Sequence, residues 1–95
     1  MKEIKEISVL KEKYGSEFIL SDEKNKEHNF HLLLELSVEN NHYAYFKQDD
    51  EQEEYIEVLK VIKGDNNELD LIHVEDDNEW EDAAELYDEW TYNFD

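Results

Sequence analysis

The sequence predicts an α+β fold: an antiparallel β-meander of about five strands, a C-terminal helix packed on one sheet face, and a short N-terminal helix. Three observations predict it. Apolar residues recur every three or four positions at both ends of the chain, they alternate with a period of two through the middle, and short Asn- and Asp-rich runs punctuate the middle segments. The chain, with 95 residues and no cysteine, is read as a single domain over 1–95, near the small end of what closes a core without covalent help. Its apolar content of 39% and aromatic content of 13% are more than a disordered acidic tail carries, so a folded domain is expected.

The elements follow in order. Ile4, Ile7 and Leu10 lie three apart with Tyr14 four further on, which predicts an amphipathic helix over 1–15, and Gly15 stands where a helix C-cap belongs. The meander is expected over 17–74. A short β-prone run, Phe18 to Leu20, precedes a polar turn. Phe30, Leu32, Leu34, Leu36 and Val38 then alternate with His31, Leu33, Glu35, Ser37 and Glu39, the pattern of a strand with one buried face. Asn40 and Asn41 are placed in the next turn because Asn tolerates positive φ. Residues 42–48 and 54–62 read as the third and fourth strands and 69–74 as the fifth, with a turn at Gly64 to Asn67.

From Glu79 the period returns to 3.6. Trp80, Ala83, Ala84, Tyr87, Trp90 or Thr91, and Phe94 fall on one face of a helix over 78–93, with Asp76, Asp77 and Asn78 as N-cap candidates. The third and fourth strands are apolar on both sides, Tyr43 and Tyr45 against Ala44 and Phe46, and one terminal helix cannot cover both. The N-terminal helix, a partner or a second copy forming a homodimer must cover the other.

This order of elements resembles a known family, the YrzB-like small acidic proteins of Gram-positive bacteria, whose domain has no assigned function. The resemblance rests on Phe18, the segment His42-Tyr43-Ala44-Tyr45, and the acidic loop before Tyr55-Ile56-Glu57-Val58-Leu59. It closes with Glu68-Leu69-Asp70-Leu71-Ile72 and then Glu75-Asp76-Asp77-Asn78-Glu79-Trp80. It covers about residues 17–92 and departs at Met1 to Tyr14, which looks like an added helix, and at Lys24-Asn25-Lys26, where the family's usual glycine is absent. It implies the fold and no catalytic residue.

Charge narrows the function. The chain carries 28 acids and 9 Lys, with no Arg, for a net −19. Direct binding to nucleic acid or to an anionic membrane is not expected, because the cations that neutralise phosphate are missing. No apolar stretch approaches a membrane span and no signal-peptide pattern opens the chain, so a soluble cytoplasmic protein is expected. The charge is uneven: residues 1–47 hold 7 Lys and 9 acids, and residues 48–95 hold 2 Lys and 19 acids. Apolar residues continue between the acidic clusters, which places the acidic half inside the fold.

No phosphate loop, Ser-centred elbow, HExxH or Cys nucleophile is present, and an enzyme is not expected. Neither Asp49-Asp50-Glu51 with Glu53 and Glu54, nor Asp65-Asn66-Asn67-Glu68 with Asp70, has calcium-loop spacing, and His28 and His31 fall on opposite sides of a strand. No metal and no cofactor is predicted. Glu81, Asp82, Glu85, Asp88 and Glu89 form the solvent face of the last helix, with like charges at i,i+3 and i,i+4 that each cost on the order of 0.2–0.5 kcal/mol. Stability given up without local return points to function. The expected function is a protein–protein interaction module whose acidic face, with Asp49, Asp50, Glu51, Glu53 and Glu54 as a second patch, binds a basic partner. Trp90, Tyr92 and Phe94 are the aromatic anchors, whereas Trp80 and Tyr87 are assigned to the core. The alternative is a nucleic-acid mimic, with carboxylates roughly 5 to 7 Å apart standing in for phosphates. A third reading assigns the charge to solubility alone.

Overall fold

The computed structural model describes residues 3–21, 24–48 and 56–92. Its elements are β1 (Ile4–Glu6), α1 (Val9–Tyr14), β2 (Glu17–Ser21), β3 (Glu27–Val38), β4 (Asn41–Gln48), β5 (Ile56–Lys63), a 3-10 turn (Asp65–Asn67), β6 (Leu69–His73) and α2 (Asp77–Tyr92). The fold is α+β, with one antiparallel sheet and a helix near each end. β3 to β6 form the meander, and the other edge of β3 is shared: β1 pairs with Leu36 to Val38 and β2 with Glu27 to His31.

The N-terminal helix is shorter than the apolar spacing predicted. The stripe of Ile4, Ile7 and Leu10 is divided between two elements, because Ile4 opposes Val38 in the β1–β3 ladder while Leu10 sits on α1. Ile4 packs on one side of the sheet and Leu10 on the other. The β3–β4 turn also differs. Val38 pairs with Asn41, which leaves Glu39 and Asn40 as the loop, and Glu39 takes the positive φ of 57° that had been assigned to Asn.

The long strand does not keep one buried face. Its pairing with β4 slips between Leu32 and Leu34, a bulge that inserts one extra residue and reverses the alternation. Phe30 and Leu32 join Leu10, Ala44, Phe46, Leu59 and Val61 on the α1 side. Leu36 and Val38 join Tyr43, Tyr45, Val58 and Ala83 on the α2 side, with Leu34 packed beside them. The same reversal carries Glu35 from the expected solvent face to the α1 side, opposite Ala44, where it is 3% exposed.

The sheet curls around α1. Phe18 and Leu20 of β2 and Leu69 and Leu71 of β6, from opposite edges, pack on the same cluster, and Lys13 Nζ donates to the main-chain oxygen of Asn67 at 2.6 Å. On the other side α2 presents Ala83, Leu86, Tyr87 and Trp90 to the sheet. Trp80, expected in the core, is 39% exposed. The helix is rotated so that Glu79 and Ala83 lie over β4, where the Tyr43 hydroxyl donates to Glu79 (2.6 Å) and the Tyr45 hydroxyl to the Ala83 carbonyl (2.7 Å). The chain's own two helices thus cover both sheet faces.

Candidate interaction surface

α2 starts where its sequence supplies a cap. The Asp76 carboxylate accepts the N–H groups of Asn78 (2.9 Å) and Glu79 (3.4 Å), and Asp77 and Glu79 place negative charge at the positive end of the helix dipole. The last turn holds no basic residue, so Asp88 and Glu89 stand at the end where the dipole disfavours them.

The helix sorts its acids into two kinds. Glu79 faces the sheet and takes the Tyr43 hydroxyl and Lys60 Nζ (2.9 Å) on one oxygen. The Tyr43 hydrogen bond, and then the Lys60 ammonium, outweigh a burial penalty and hold its carboxyl below the usual range. Burial, with the Glu79 carboxylate second, pushes the Tyr43 phenol up, and burial alone does the same to Tyr45. Glu81, Asp82, Glu85, Asp88 and Glu89 are all exposed. Among the described residues no ion pair reaches any of the five; the pairs that form are Lys5–Glu3, His31–Glu17, His42–Glu35, Lys60–Glu79 and His73–Glu57.

The aromatic residues divide as well. Trp90 is half-buried against the α2-side cluster and its indole N–H donates to Glu6 at 2.9 Å, so packing already occupies much of it. Tyr92 is 79% exposed. The second acidic patch, Asp49, Asp50, Glu51, Glu53 and Glu54, and the aromatic Phe94 lie outside the described residues. His28 and His31 make separate bonds, to Gln48 and Glu17. No group of three His, Asp or Glu among the described residues could hold a metal ion.

Sequence reasoning missed Glu35. Its carboxylate accepts the N–H groups of Leu10 (2.8 Å) and Lys11 (3.2 Å) and the Nε2–H of His42 (2.9 Å). Ser8, the N-cap residue of α1, makes no side-chain cap bond, and Glu35 does that work from a strand twenty-five residues away. Burial raises its pKa, but the His42 hydrogen bond and the two backbone N–H groups outweigh burial and hold the carboxyl below its usual range. The available signal was the run Leu32-Leu33-Leu34, which puts leucine on both sides of a regularly alternating strand and so marks where the alternation can reverse.

Residues 23–91 match the family described as a protein of unknown function, DUF1292. The chain belongs to this family. It is 33% identical over 70 residues to a UPF0473 protein of Alkaliphilus oremlandii, covering 73% of this chain and 81% of the relative. A UPF0473 protein of Pelotomaculum thermopropionicum is 37% identical over 71 residues, covering 74% and 80%. No solved structure matches. The DUF1292 segment starts just ahead of β3 and ends within α2, so β1, α1 and β2 precede it. Neither family description carries an activity. Among the described residues no helix is long and apolar enough to cross a membrane.

Proposed function

We propose that this protein is a non-enzymatic interaction module of the cytoplasm that binds a basic partner protein through the outward face of α2. The finer resemblance, to the YrzB-like small acidic proteins, belongs to the same proposal. The observation that carries it is the sorting of acids on one helix: Glu79 is neutralised where it meets the sheet, while Glu81, Asp82, Glu85, Asp88 and Glu89 face solvent with no cation paired to them among the described residues. The repulsion within that set is relieved by a ligand that brings positive charge. Tyr92, at the end of the same helix, supplies exposed aromatic surface beside it. The non-enzymatic part is supported by the two carboxylates that are displaced in titration among the described residues. Glu35 and Glu79 both move down, away from the raised value that proton transfer near neutral pH requires.

The test compares two baits in a lysate pull-down washed with rising salt: the natural chain and a triple variant with Glu81→Lys, Glu85→Lys and Glu89→Lys. A discrete partner that survives high salt on the natural chain and is absent from the variant supports the module. Nucleic-acid-binding proteins that wash off early and compete with DNA would replace it with mimicry. Identical captures on both baits would leave only a solubility role.

A further inference from the structure

β6 ends the sheet. Among the described residues its only ladder partner is β5, so one row of its main-chain N–H and C=O groups has no strand beside it. Two clefts flank this strand. One, of about 340 Å³, is lined by Leu10, Tyr14, Phe18, Leu69 and Leu71, with Asp70 as its one charged residue, and is mostly apolar. The other, of about 660 Å³, joins Ile72 and Val74 to Glu75, Asp76 and Glu79. Ile72 is 40% exposed, and Asp70, Glu75 and Asp76 are exposed around it. Lys60, which also borders the second cleft, is held by Glu79 at 2.9 Å.

We infer that the free edge of β6 takes an added strand from a partner protein, an extended segment in which apolar residues alternate with Lys or Arg. This rests on the module reading above and names a second contact for the same partner. A strand's side chains point alternately to opposite faces, so a segment paired with β6 sends every other residue toward each cleft. The apolar cleft beside Tyr14 and Phe18 accepts apolar residues. On the other side a Lys or Arg stem lies along Ile72 and delivers its charge to Glu75 and Asp76. A second copy of this chain is the poorer occupant, since each copy carries −19 and brings its own Asp70, Glu75 and Asp76 to the same edge. Protein edges are commonly guarded by charge, and here the guard is negative: it repels acidic strands and admits basic ones.

Two peptides of identical composition and charge test this, one of four Val-Lys repeats and one of four Val followed by four Lys. The alternating peptide should bind at physiological salt at least about tenfold more tightly, and the amides of residues 69–73 should exchange more slowly in its presence. Ile72→Glu and Ile72→Ser should each abolish the difference. The Glu variant separates edge pairing from charge, because an added carboxylate strengthens purely electrostatic binding. Equal affinities untouched by either Ile72 variant, with both peptides weakened by Glu81→Lys and Glu85→Lys, would overturn the edge inference and leave the α2 reading standing. No binding of either peptide at low salt would remove both. Concentration-dependent dimerisation that slows exchange in residues 69–73 without peptide would assign the edge to a second copy and overturn the inference.

Discussion

The two sides of the sheet are closed by unequal helices, and polar groups act differently on each. α1 has six residues and one buried side chain, Leu10, and its first turn is held by the Glu35 carboxylate reaching up from the strand beneath. α2 has sixteen residues and four that pack inward, and on that side the sheet donates, through Tyr43 and Tyr45. A helix of six residues is well below the length that is stable alone. The lesson is that a short helix can close a core when its free N–H groups are satisfied by a charge from outside the helix, whereas a long one needs polar bonds only to set its rotation.

The comparison can be broken most severely at Leu10. Leu10→Ala should cost about 3 kcal/mol in a urea unfolding experiment, the range for a fully buried leucine; a loss below about 1 kcal/mol would show that α1 closes nothing. Glu35→Ala should cost about 2–3 kcal/mol, because it leaves the N–H groups of Leu10 and Lys11 and the His42 ring without their acceptor. Glu35→Gln should cost less, since an amide oxygen still accepts.

Acid sharpens the same point. A carboxyl held below its ordinary value stabilises the fold above that value, and the contribution disappears as pH falls through the folded-state pKa. The gap in thermal midpoint between the natural chain and Glu35→Gln should therefore be widest near neutral pH and shrink below about pH 4.5, the ordinary glutamate value. Taking the difference between the two chains removes the general relief of repulsion that acid brings to both. On the opposite side Tyr45→Phe should cost about 1 kcal/mol, one neutral hydrogen bond to the Ala83 carbonyl, with no change in pH dependence between pH 4 and 8. The smallest expected effect has the opposite sign. Glu85→Lys turns its pairs with Glu81 and Glu89 from repulsive to attractive and should add roughly 0.5 kcal/mol while weakening the basic partner, by thermal melting and pull-down respectively.

The parts of this fold governed by local pattern were legible in the sequence. Period two marked β3, short apolar runs between polar turns marked β4 to β6, the Asp76 cap and the 3.6 period marked α2, and the outward acids of α2 needed only the helix to be placed. What depended on partners elsewhere in the chain was not legible. β1 was hidden because Ile4, Ile7 and Leu10 satisfy helical spacing even though the strand takes one and the helix another. The reversal at Leu33 was hidden because Phe30, Leu32, Leu34, Leu36 and Val38 fit one period-two stripe in spite of Leu33, and only the register against β4 exposes the extra residue. Glu35 followed from that reversal. Trp80 was misplaced because the stripes through Trp80 and through Glu79 share Ala83, Tyr87 and Trp90, and it is Tyr43, Tyr45 and Lys60 that choose between them.

The arrangement along β3 also orders events during synthesis. The meander from β3 to β6 is built from neighbouring hairpins, each of which can pair as soon as its second strand is made. β1, α1 and β2 are translated earlier, yet the ladder partner of both strands is β3, and β3 also makes the bonds from Ile7 N–H to the Glu35 main-chain oxygen and from Leu32 N–H to the Ser16 oxygen. A segment made ahead of the meander thus waits for its template. Its docking is expected to follow the pairing of β3 with β4, since the bulge in that ladder is what turns Glu35 toward the start of α1.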